Sequence, residues 1–185
     1  MAETHGLATA ILETTEALVV VLDAQGRITF FNRACESLTG HSRNDVLGKA
    51  IWDVLIPERH VASVKQVFAD LLAGEQALGR RHENPWLTRD GEERLIAWSN
   101  SAVTDTSGAV THVIGTGMDI TERHRAEETL RRTNQTLDSL IQASPLAILT
   151  IDADRNITSW NPAAERSFGW TAREVIGRPI PFVPE

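Results

Sequence analysis

ALVVVLDAQGRITFFNRACESLTGHSRNDVLG, residues 17–48, is the stretch that decides the fold, because the chain repeats it at residues 146–177 as LAILTIDADRNITSWNPAAERSFGWTAREVIG. The two stretches align without a gap and share ten identical residues. The identical pairs are Asp23/Asp152, Ala24/Ala153, Ile28/Ile157, Thr29/Thr158, Asn32/Asn161, Ala34/Ala163, Glu36/Glu165, Gly40/Gly169, Val46/Val175 and Gly48/Gly177. Such a repeat indicates two copies of one domain, since solenoid repeats recur every 20–50 residues or so.

The repeat also predicts how the 185-residue chain is divided. We expect one whole domain of roughly 120 residues, followed by the opening of a second. The second copy ends at Glu185, before the elements that follow Gly48 in the first copy have recurred. We therefore expect an incomplete second domain and a chain that is a piece of a longer protein.

Composition and charge exclude several classes of function. The net charge is −7, and no run of Lys and Arg is long enough to follow a phosphate backbone, so we expect no nucleic-acid binding. Cys35 is the single cysteine, which excludes an internal disulfide and a thiolate metal cage. No apolar run approaches the ~20 residues of a membrane span. This segment is expected to be soluble and cytoplasmic, without membrane contact.

Local signals predict the elements of the first copy. A short helix at Leu7–Glu16 is expected to lead into a hairpin, whose strands Ala17–Leu22 and Ile28–Phe31 flank an Asp-Ala-Gln-Gly-Arg turn. Asn32 stands where a helix N-cap belongs, and Gly40 stands where that helix ends. A hairpin followed directly by a capped helix is therefore expected at the start of each copy.

Further helices and a meander of strands are expected after this hairpin. Ser42–Asp45 has the spacing of a capping box and opens a short helix that stops at Gly48. Helical spacing of apolar residues predicts a longer helix from Pro57 through Ala73, ended by Gly74. The expected strands are Ala77–Arg89, Glu93–Val103 and Val110–Met118. Two strands, several helices and three more strands predict an α+β domain with an antiparallel sheet.

Asp119–Ala143 differs in kind, because it is rich in charge and contains neither Gly nor Pro. Its small and apolar residues recur at spacings of four and three, which is the a/d seam of a coiled coil. These seam residues are Ala126, Leu130, Thr133, Leu137 and Leu140. The alternative is a solvated linker helix that packs on its own domain, since two and a half heptads are marginal alone in water.

The hairpin, the Asn32 cap, Gly40, Gly48 and the Asp119-Ile-Thr121 ending before a charged helix resemble the PAS domain family. The segments Trp86-Leu-Thr-Arg-Asp-Gly91 and Ile96-Ala-Trp-Ser-Asn100 resemble PAS domains that precede histidine kinases or cyclic-dinucleotide enzymes in bacteria. The resemblance implies a five-stranded antiparallel sheet with helices on one face and a pocket between them. The fold does not specify the ligand.

The resemblance also implies a division of the chain and its partners. We expect an N-terminal helix at 1–16, PAS domain 1 at 17–120, a coiled-coil connector helix at 121–143 and the start of PAS domain 2 at 144–185. A homodimer through the N-terminal and connector helices is expected. A downstream effector domain, such as a histidine kinase or a cyclic-dinucleotide enzyme, would lie outside this chain.

The residues disfavour the FMN photocycle of blue-light sensors in this family. That photocycle requires a cysteine at the position of Ala50, whereas Cys35 lies on a different predicted helix. The positions that resemble the flavin's polar partners read Trp86, Ile96 and Gly117. We expect Cys35 to be a small buried apolar residue.

Haem and other metal sites are disfavoured as well. Val64 stands where a haem-binding relative would place its iron ligand, and His60 lies one turn too early on that predicted helix. His82 and His112 are on predicted strands and share no metal-ligand spacing with it. No metal is expected.

No cofactor is predicted, and FAD is kept as the alternative. Flavin-binding redox sensors of this family carry a Trp before a Gly where this chain has Arg80, near Gly79. The candidate pocket residues are Asn32, Trp52, Trp86, Ile96 and Trp98, with Ile96 and Trp98 on one inward face of a strand. Two alternatives stay open: the tryptophans simply fill the core, and Asn32 is a helix cap.

No catalytic motif is present, because the chain has neither a phosphate-binding glycine loop nor a nucleophile elbow. The chain is therefore expected to be a sensory and dimerisation region rather than an enzyme. The candidate residues for signal transfer are Asp119, Ile120, Thr121, Leu130 and Leu137. The alternatives are a ligand-free protein-interaction module and a flavin-binding redox sensor.

Overall fold

A computed structural model of the chain describes residues 10–73 and 82–181. It contains two compact units, Met1–His124 and Arg125–Glu185, each of which is described here by itself. The predicted strand residues 77–81, the predicted helix end at Gly74 and the aligned positions Gly79 and Arg80 lie outside the described residues.

The first unit is built on a five-stranded sheet in which every pairing is antiparallel. Its strands are β1 (Leu18–Asp23), β2 (Ile28–Phe31), β3 (His82–Leu87), β4 (Glu93–Thr104) and β5 (Val110–Asp119). The order across the sheet is β2-β1-β5-β4-β3, so the first and last strands in sequence meet at its centre. This arrangement confirms the predicted α+β class and the five-stranded sheet.

Helix α1 (residues 10–14) precedes the sheet. The helices that connect β2 to β3 are α2 (Arg33–Thr39), α3 (Arg43–Val46), α4 (Ile51–Val54) and α5 (Glu58–Leu72). Helix α5 lies within the predicted Pro57–Ala73 range, and these two residues are its caps. The Ser42 and Asp45 side chains form the expected capping box at the start of α3.

Glycines with positive φ lie in the β1–β2 turn and at the end of α2. Gly26, in the β1–β2 turn, has a φ of 75°, and a Cβ there would lie 2.0 Å from the ring of Trp52. Glycine is therefore required by both the backbone and the tryptophan that covers it. Asn32 caps α2, and Gly40 ends that helix with a φ of 72°, as the sequence predicts.

The core of the first unit lies between the sheet and helices α4 and α5. Side chains of a strand alternate between its two faces, so Leu18, Val20 and Leu22 share the buried face of β1. Ile96 and Trp98 are likewise both buried on β4. From the helices, the core receives Ile51, Leu55, Phe68 and Leu71.

A single helix, α6 (Thr121–Ala143), begins in the first unit and continues into the second. The second unit then contains β6 (Leu149–Ile151), β7 (Ile157–Trp160), α7 (Pro162–Phe168) and α8 (Ala172–Val175). Strands β6 and β7 pair antiparallel, and Asn161 and Gly169 are the caps of α7. These elements repeat β1 to α3 in order. The incompleteness of the second domain stays a prediction.

Within residues 10–73 and 82–181, none of the helices combines the length and the apolar character needed to cross a bilayer. Helix α6 is the longest of them, and it exposes Leu130, Leu137 and Leu140 to solvent in the single chain.

Candidate functional site

A cavity of about 250 Å³ lies between the sheet and helices α4 and α5. The lining from α5 and from strands β1 and β5 is mainly apolar. These apolar residues are Val20, Leu22, Val64, Val67, Phe68, Leu71 and Val113. Strands β3 and β4 of the same sheet contribute the polar residues His82, Glu83, Asn84 and Asn100, and α5 contributes Ser63.

The structure brings three of the five predicted pocket residues to this cavity. Trp52, Trp86 and Trp98 line it, whereas Asn32 and Ile96 are not among its lining residues. Ile96 is fully buried, and its side chain lies against β5, where a Cβ at Gly117 would be only 2.7 Å away. The pocket assignments of Asn32 and Ile96 are corrected accordingly.

The side chain of Asn32 instead makes hydrogen bonds to four backbone groups. Its Oδ1 accepts the N–H of Val19 at 3.1 Å and that of Cys35 at 3.1 Å. Its Nδ2 donates to the carbonyl oxygens of Leu12 and Ala17, both at 2.9 Å. An amide side chain has two donors and one double acceptor, so this set leaves no capacity for a ligand. The cap interpretation is the one that the geometry supports.

The aromatic rings both fill the core and line the cavity. The centroids of Trp86 and Trp98 are 4.7 Å apart at an interplanar angle of 41°, and the Phe31 ring stacks on Trp86 at a centroid distance of 6.1 Å. Trp52 is half-buried and meets Phe68 edge-on at 5.7 Å. The rings therefore act as fixed walls, because each is held by a second aromatic neighbour.

Two nitrogens of cavity-lining residues are shielded from water and have no hydrogen-bond partner among the described residues. They are Nε1 of Trp98 and Nε2 of His82, and the two residues face each other across the β3–β4 ladder. An unsatisfied buried donor costs about 1–3 kcal/mol. The sequence predicted Trp98 as a pocket residue but missed His82, because its position opposite Trp98 depends on the register of the two strands.

Cys35 takes no part in this site. It is fully buried on α2, and desolvation raises the pKa of its thiol from the usual 9.0 to about 12. Reactive cysteines instead have lowered pKa values in partly exposed positions. The expectation of a small buried residue agrees with this environment.

The cavity is small for a flavin or a haem. An apolar cavity of about 150 Å³ takes benzene, so one of 250 Å³ takes about ten non-hydrogen atoms. A flavin ring system or a porphyrin is larger than that. Val64, at the predicted haem-ligand position, lines the cavity with an apolar side chain. Within the described ranges, no three His, Cys, Asp or Glu side chains cluster as metal ligands would.

The last strand and the long helix are joined by a compact set of bonds at Asp119, Ile120 and Thr121. The Leu95 N–H, on β4, donates to Thr121 Oγ1 at 2.8 Å, and the Ile120 N–H donates back to the Leu95 carbonyl at 2.9 Å. The Thr121 N–H and hydroxyl both donate to Asp119 Oδ1. Helix α6 is therefore attached to the strand that carries Trp98.

A sheet and helices around a small cavity, with a helix leaving the last strand, define a sensory module of signalling proteins. The family model described as "PAS fold" matches residues 8–120 and 135–185. The chain belongs to the PAS family, as the sequence predicted.

The relatives include bacterial signalling proteins and plant phytochromes. The chain is 32% identical over 134 residues to the cyclic di-GMP phosphodiesterase PdeR of Escherichia coli, an alignment that covers 69% of this chain and 19% of PdeR. It is 35% identical over 78 residues to the sensor protein FixL of Bradyrhizobium diazoefficiens, covering 42% of this chain and 15% of FixL. The chain thus spans less than a fifth of the length of either relative.

Among solved structures, the PAS domain of a Colwellia psychrerythraea protein superposes with a TM-score of 0.56. The two are 20% identical, and the alignment covers 64% of this chain and 98% of that one. At this identity the similarity concerns the fold alone.

Proposed function

We propose that this chain is the sensory and dimerisation region of a cytoplasmic bacterial signalling protein. A molecule in the cavity of the first unit changes the packing of β4 and β5. The last strand passes that change through Asp119, Ile120 and Thr121 into α6. The effector domain lies outside the chain, and the names of the relatives favour a cyclic-dinucleotide enzyme or a sensor kinase.

The attachment of α6 to β4 is the observation that carries this proposal. Leu95 makes one hydrogen bond to Ile120 and one to Thr121, the first residue of α6, and it lies three residues before the cavity-lining Trp98. Thr121 is 5% exposed, so the hydroxyl that holds the junction is shielded from water. A displacement of β4 at Trp98 would therefore change the hydrogen bonds that hold the start of α6.

The second end of α6 is also attached. Asn161 Nδ2 donates to the carbonyl of Ile141, in the last turn of α6, at 3.0 Å. Asn32 makes the corresponding bond to Leu12 of α1. By this correspondence, α6 serves the second unit as α1 serves the first, which makes it a helix that both units hold. A helix held in this way suits a transmitter of strain better than a passive tether does.

Coupling between the junction and the cavity is testable in this chain, because energetic coupling between two sites is reciprocal. Thr121→Val removes the junction hydroxyl, and Thr121→Ser keeps it. We expect Thr121→Val to increase acrylamide quenching of tryptophan fluorescence, since β4 is released beside buried Trp86 and Trp98, whereas Thr121→Ser leaves quenching unchanged.

Thr39→Val is the matched control, since it removes another buried hydroxyl, one that donates to Cys35 on α2 rather than to the junction. It is expected to behave like Thr121→Ser in the quenching measurement. Equal quenching in Thr121→Val and Thr39→Val would contradict the proposed coupling.

A further inference from the structure

We infer that the cavity of the first unit takes a small, uncharged and mostly apolar molecule that donates one N–H or O–H group to Asn100 Oδ1. This inference rests on the proposed role of the cavity as the input site. The cavity of about 250 Å³ limits such a molecule to about ten non-hydrogen atoms, since benzene needs about 150 Å³.

The Asn100 carboxamide lies on the inward face of β4. Asn100 is two residues from Trp98 on that strand, so the two side chains share a face, and both residues line the cavity. Across the sheet, Asn100 pairs with Gly115, which pairs with Val20. A Cβ at Gly115 would lie 3.3 Å from Asn100 Oδ1, 3.3 Å from Trp98 Cε3 and 3.2 Å from Val20 Cγ1. Oδ1 is therefore grouped with cavity-lining atoms and not with the outer face of the sheet.

Asn100 Oδ1 is also available to a ligand. Asn100 is half-buried, and its side chain makes no hydrogen bond within the described part of the chain. Its amide atoms are not among the side-chain atoms that are both shielded from water and unpartnered, in contrast to the nitrogens of Trp98 and His82. A molecule that fills the cavity displaces water from this oxygen. It gains affinity when it supplies a donor in place of the water and loses affinity when it does not.

The charge and the surface of the cavity define the rest of the molecule. No Lys or Arg is among the described residues that line the cavity, and Glu83 is the one carboxylate among them. A bound anion would lose its hydration without gaining a cation, which is costly. Trp52, Trp86 and Phe68 supply apolar aromatic surface, which suits a flat ring system.

Indole and benzofuran are probes that differ in the donor alone. Both are flat bicycles of the same size, and benzofuran has a ring oxygen where indole has its N–H. Isothermal titration calorimetry on the whole chain should show indole binding about fivefold more tightly than benzofuran, the usual net value of one hydrogen bond. Equal or tighter binding of benzofuran overturns the inference, and so does a failure of both probes to bind.

Asn100→Leu tests whether Asn100 is the acceptor. Leucine keeps the branched shape of the side chain but lacks the carboxamide, so this variant should bind indole and benzofuran equally well. The ratio of the two affinities is the readout, because a change in cavity volume affects both probes alike. A fivefold preference that survives in Asn100→Leu overturns the assignment.

Asn84→Leu is the matched control, since it makes the same change on β3 in the same cavity. Asn84 faces Ile96, which is about 13 Å along the strand from Asn100 and therefore beyond the reach of one bicyclic probe bound there. Asn84→Leu should keep the fivefold preference. Loss of the preference in Asn84→Leu alone overturns the role of Asn100.

Indole-2-carboxylate tests the charge argument in the unmodified chain. It should bind more weakly than indole, and tighter binding overturns the uncharged class even where Asn100→Leu does not fold. The quenching experiment on Thr121→Val involves no ligand, so its result is independent of the probes. Failure of the probes together with the expected quenching rejects the ligand class, while unchanged quenching in Thr121→Val rejects the coupling.

Discussion

At the scale of single residues, one asparagine in each unit bonds the backbone of the first hairpin and of the helix that follows it. These residues are Asn32 and Asn161. Asn161 accepts the N–H groups of Ile148 and Ala164 and donates to the carbonyls of Ile141 and Leu146. Each of these four partners has a counterpart, at the same spacing in the repeat, among the partners of Asn32. The asparagine pair is one of the ten identities of the repeat, and its side chain satisfies four backbone groups at once.

Replacing Asn32 should be costly for this reason. Asn32→Ala removes the α2 cap and leaves the buried Val19 N–H without a partner, so the free energy of unfolding should fall by about 3 kcal/mol. Urea unfolding followed by circular dichroism measures it. Asn44→Ala, at an exposed position of α3, is the control and should change stability by less than about 0.5 kcal/mol. Similar losses in both variants would mean that the four bonds do not stabilise the unit.

Cys35 should be inert in the folded protein. Burial raises the pKa of its thiol to about 12, so at pH 8 we expect no reaction with a disulfide reagent until the chain is unfolded. The thiol is protonated in both states at about pH 7, well below the ordinary value of 9.0. Between about pH 9 and 12 only the unfolded chain ionises, so the free energy of unfolding should fall with rising pH in this range.

Cys35→Ala is the control for this pH dependence, because it has no thiol to ionise. As the pH rises above 9, the unfolding free energy of the unmodified protein should therefore fall relative to that of Cys35→Ala. Rapid labelling of the folded protein at pH 8 would contradict the buried position of the thiol.

At the scale of elements, strand β5 makes room for the tryptophan of its neighbour. Trp98 pairs with Gly117 across the β4–β5 ladder. A Cβ at Gly117 would lie 2.7 Å from Cζ3 of the Trp98 ring and 2.7 Å from Cγ2 of Ile96. A Cβ at Gly115 would lie 3.3 Å from the same ring. The Trp98 ring therefore packs directly on the backbone of these two glycines.

Gly117→Ala should destabilise the first unit by about 1–3 kcal/mol, because the added methyl group overpacks the core against the Trp98 ring and the branched side chain of Ile96. The near-ultraviolet circular dichroism of the tryptophans should change with it. Met118→Ala, at the next and largely exposed position of β5, should leave both measurements nearly unchanged. A Gly117→Ala protein as stable as the unmodified one would show that Trp98 can move freely.

At the scale of the whole molecule, helix α6 presents an apolar seam that the single chain leaves open. Leu130, Leu137 and Leu140 are 62%, 51% and 64% exposed. Exposed leucines seven and three residues apart occupy the a and d positions of a heptad repeat, which favours pairing with a second copy of the same helix. Two and a half heptads are short, so the flanking domains would add to the stability of such a pair.

We therefore expect a dimer at micromolar concentration in sedimentation velocity experiments, and a monomer for the Leu130→Asp/Leu137→Asp protein. Gln135→Asp/Ser139→Asp adds the same two charges away from the seam and should remain dimeric. In the full-length parent, the leucine variant should also uncouple output from input. A monomeric unmodified chain, or equal behaviour of the two variants, would contradict the seam.

What the sequence by itself determined is everything that depends on near neighbours along the chain. The hairpin turn, the Asn32 and Asn161 caps, the Gly40 stop, the capping box and the long charged helix each follow from a few adjacent residues, whose backbone preferences act locally. The order of elements was then enough for the α+β class, and the motifs for the family.

Only the tertiary structure decided which side chains reach the cavity. His82 and Trp98 meet because β3 and β4 pair in one register, and a shift of one residue would turn each to the other face. Asn32 and Ile96 were expected at the pocket, but the first is saturated by backbone groups and the second is packed against β5. Strand register and core packing bring together residues that are distant in the chain, so no local sequence pattern predicts these contacts.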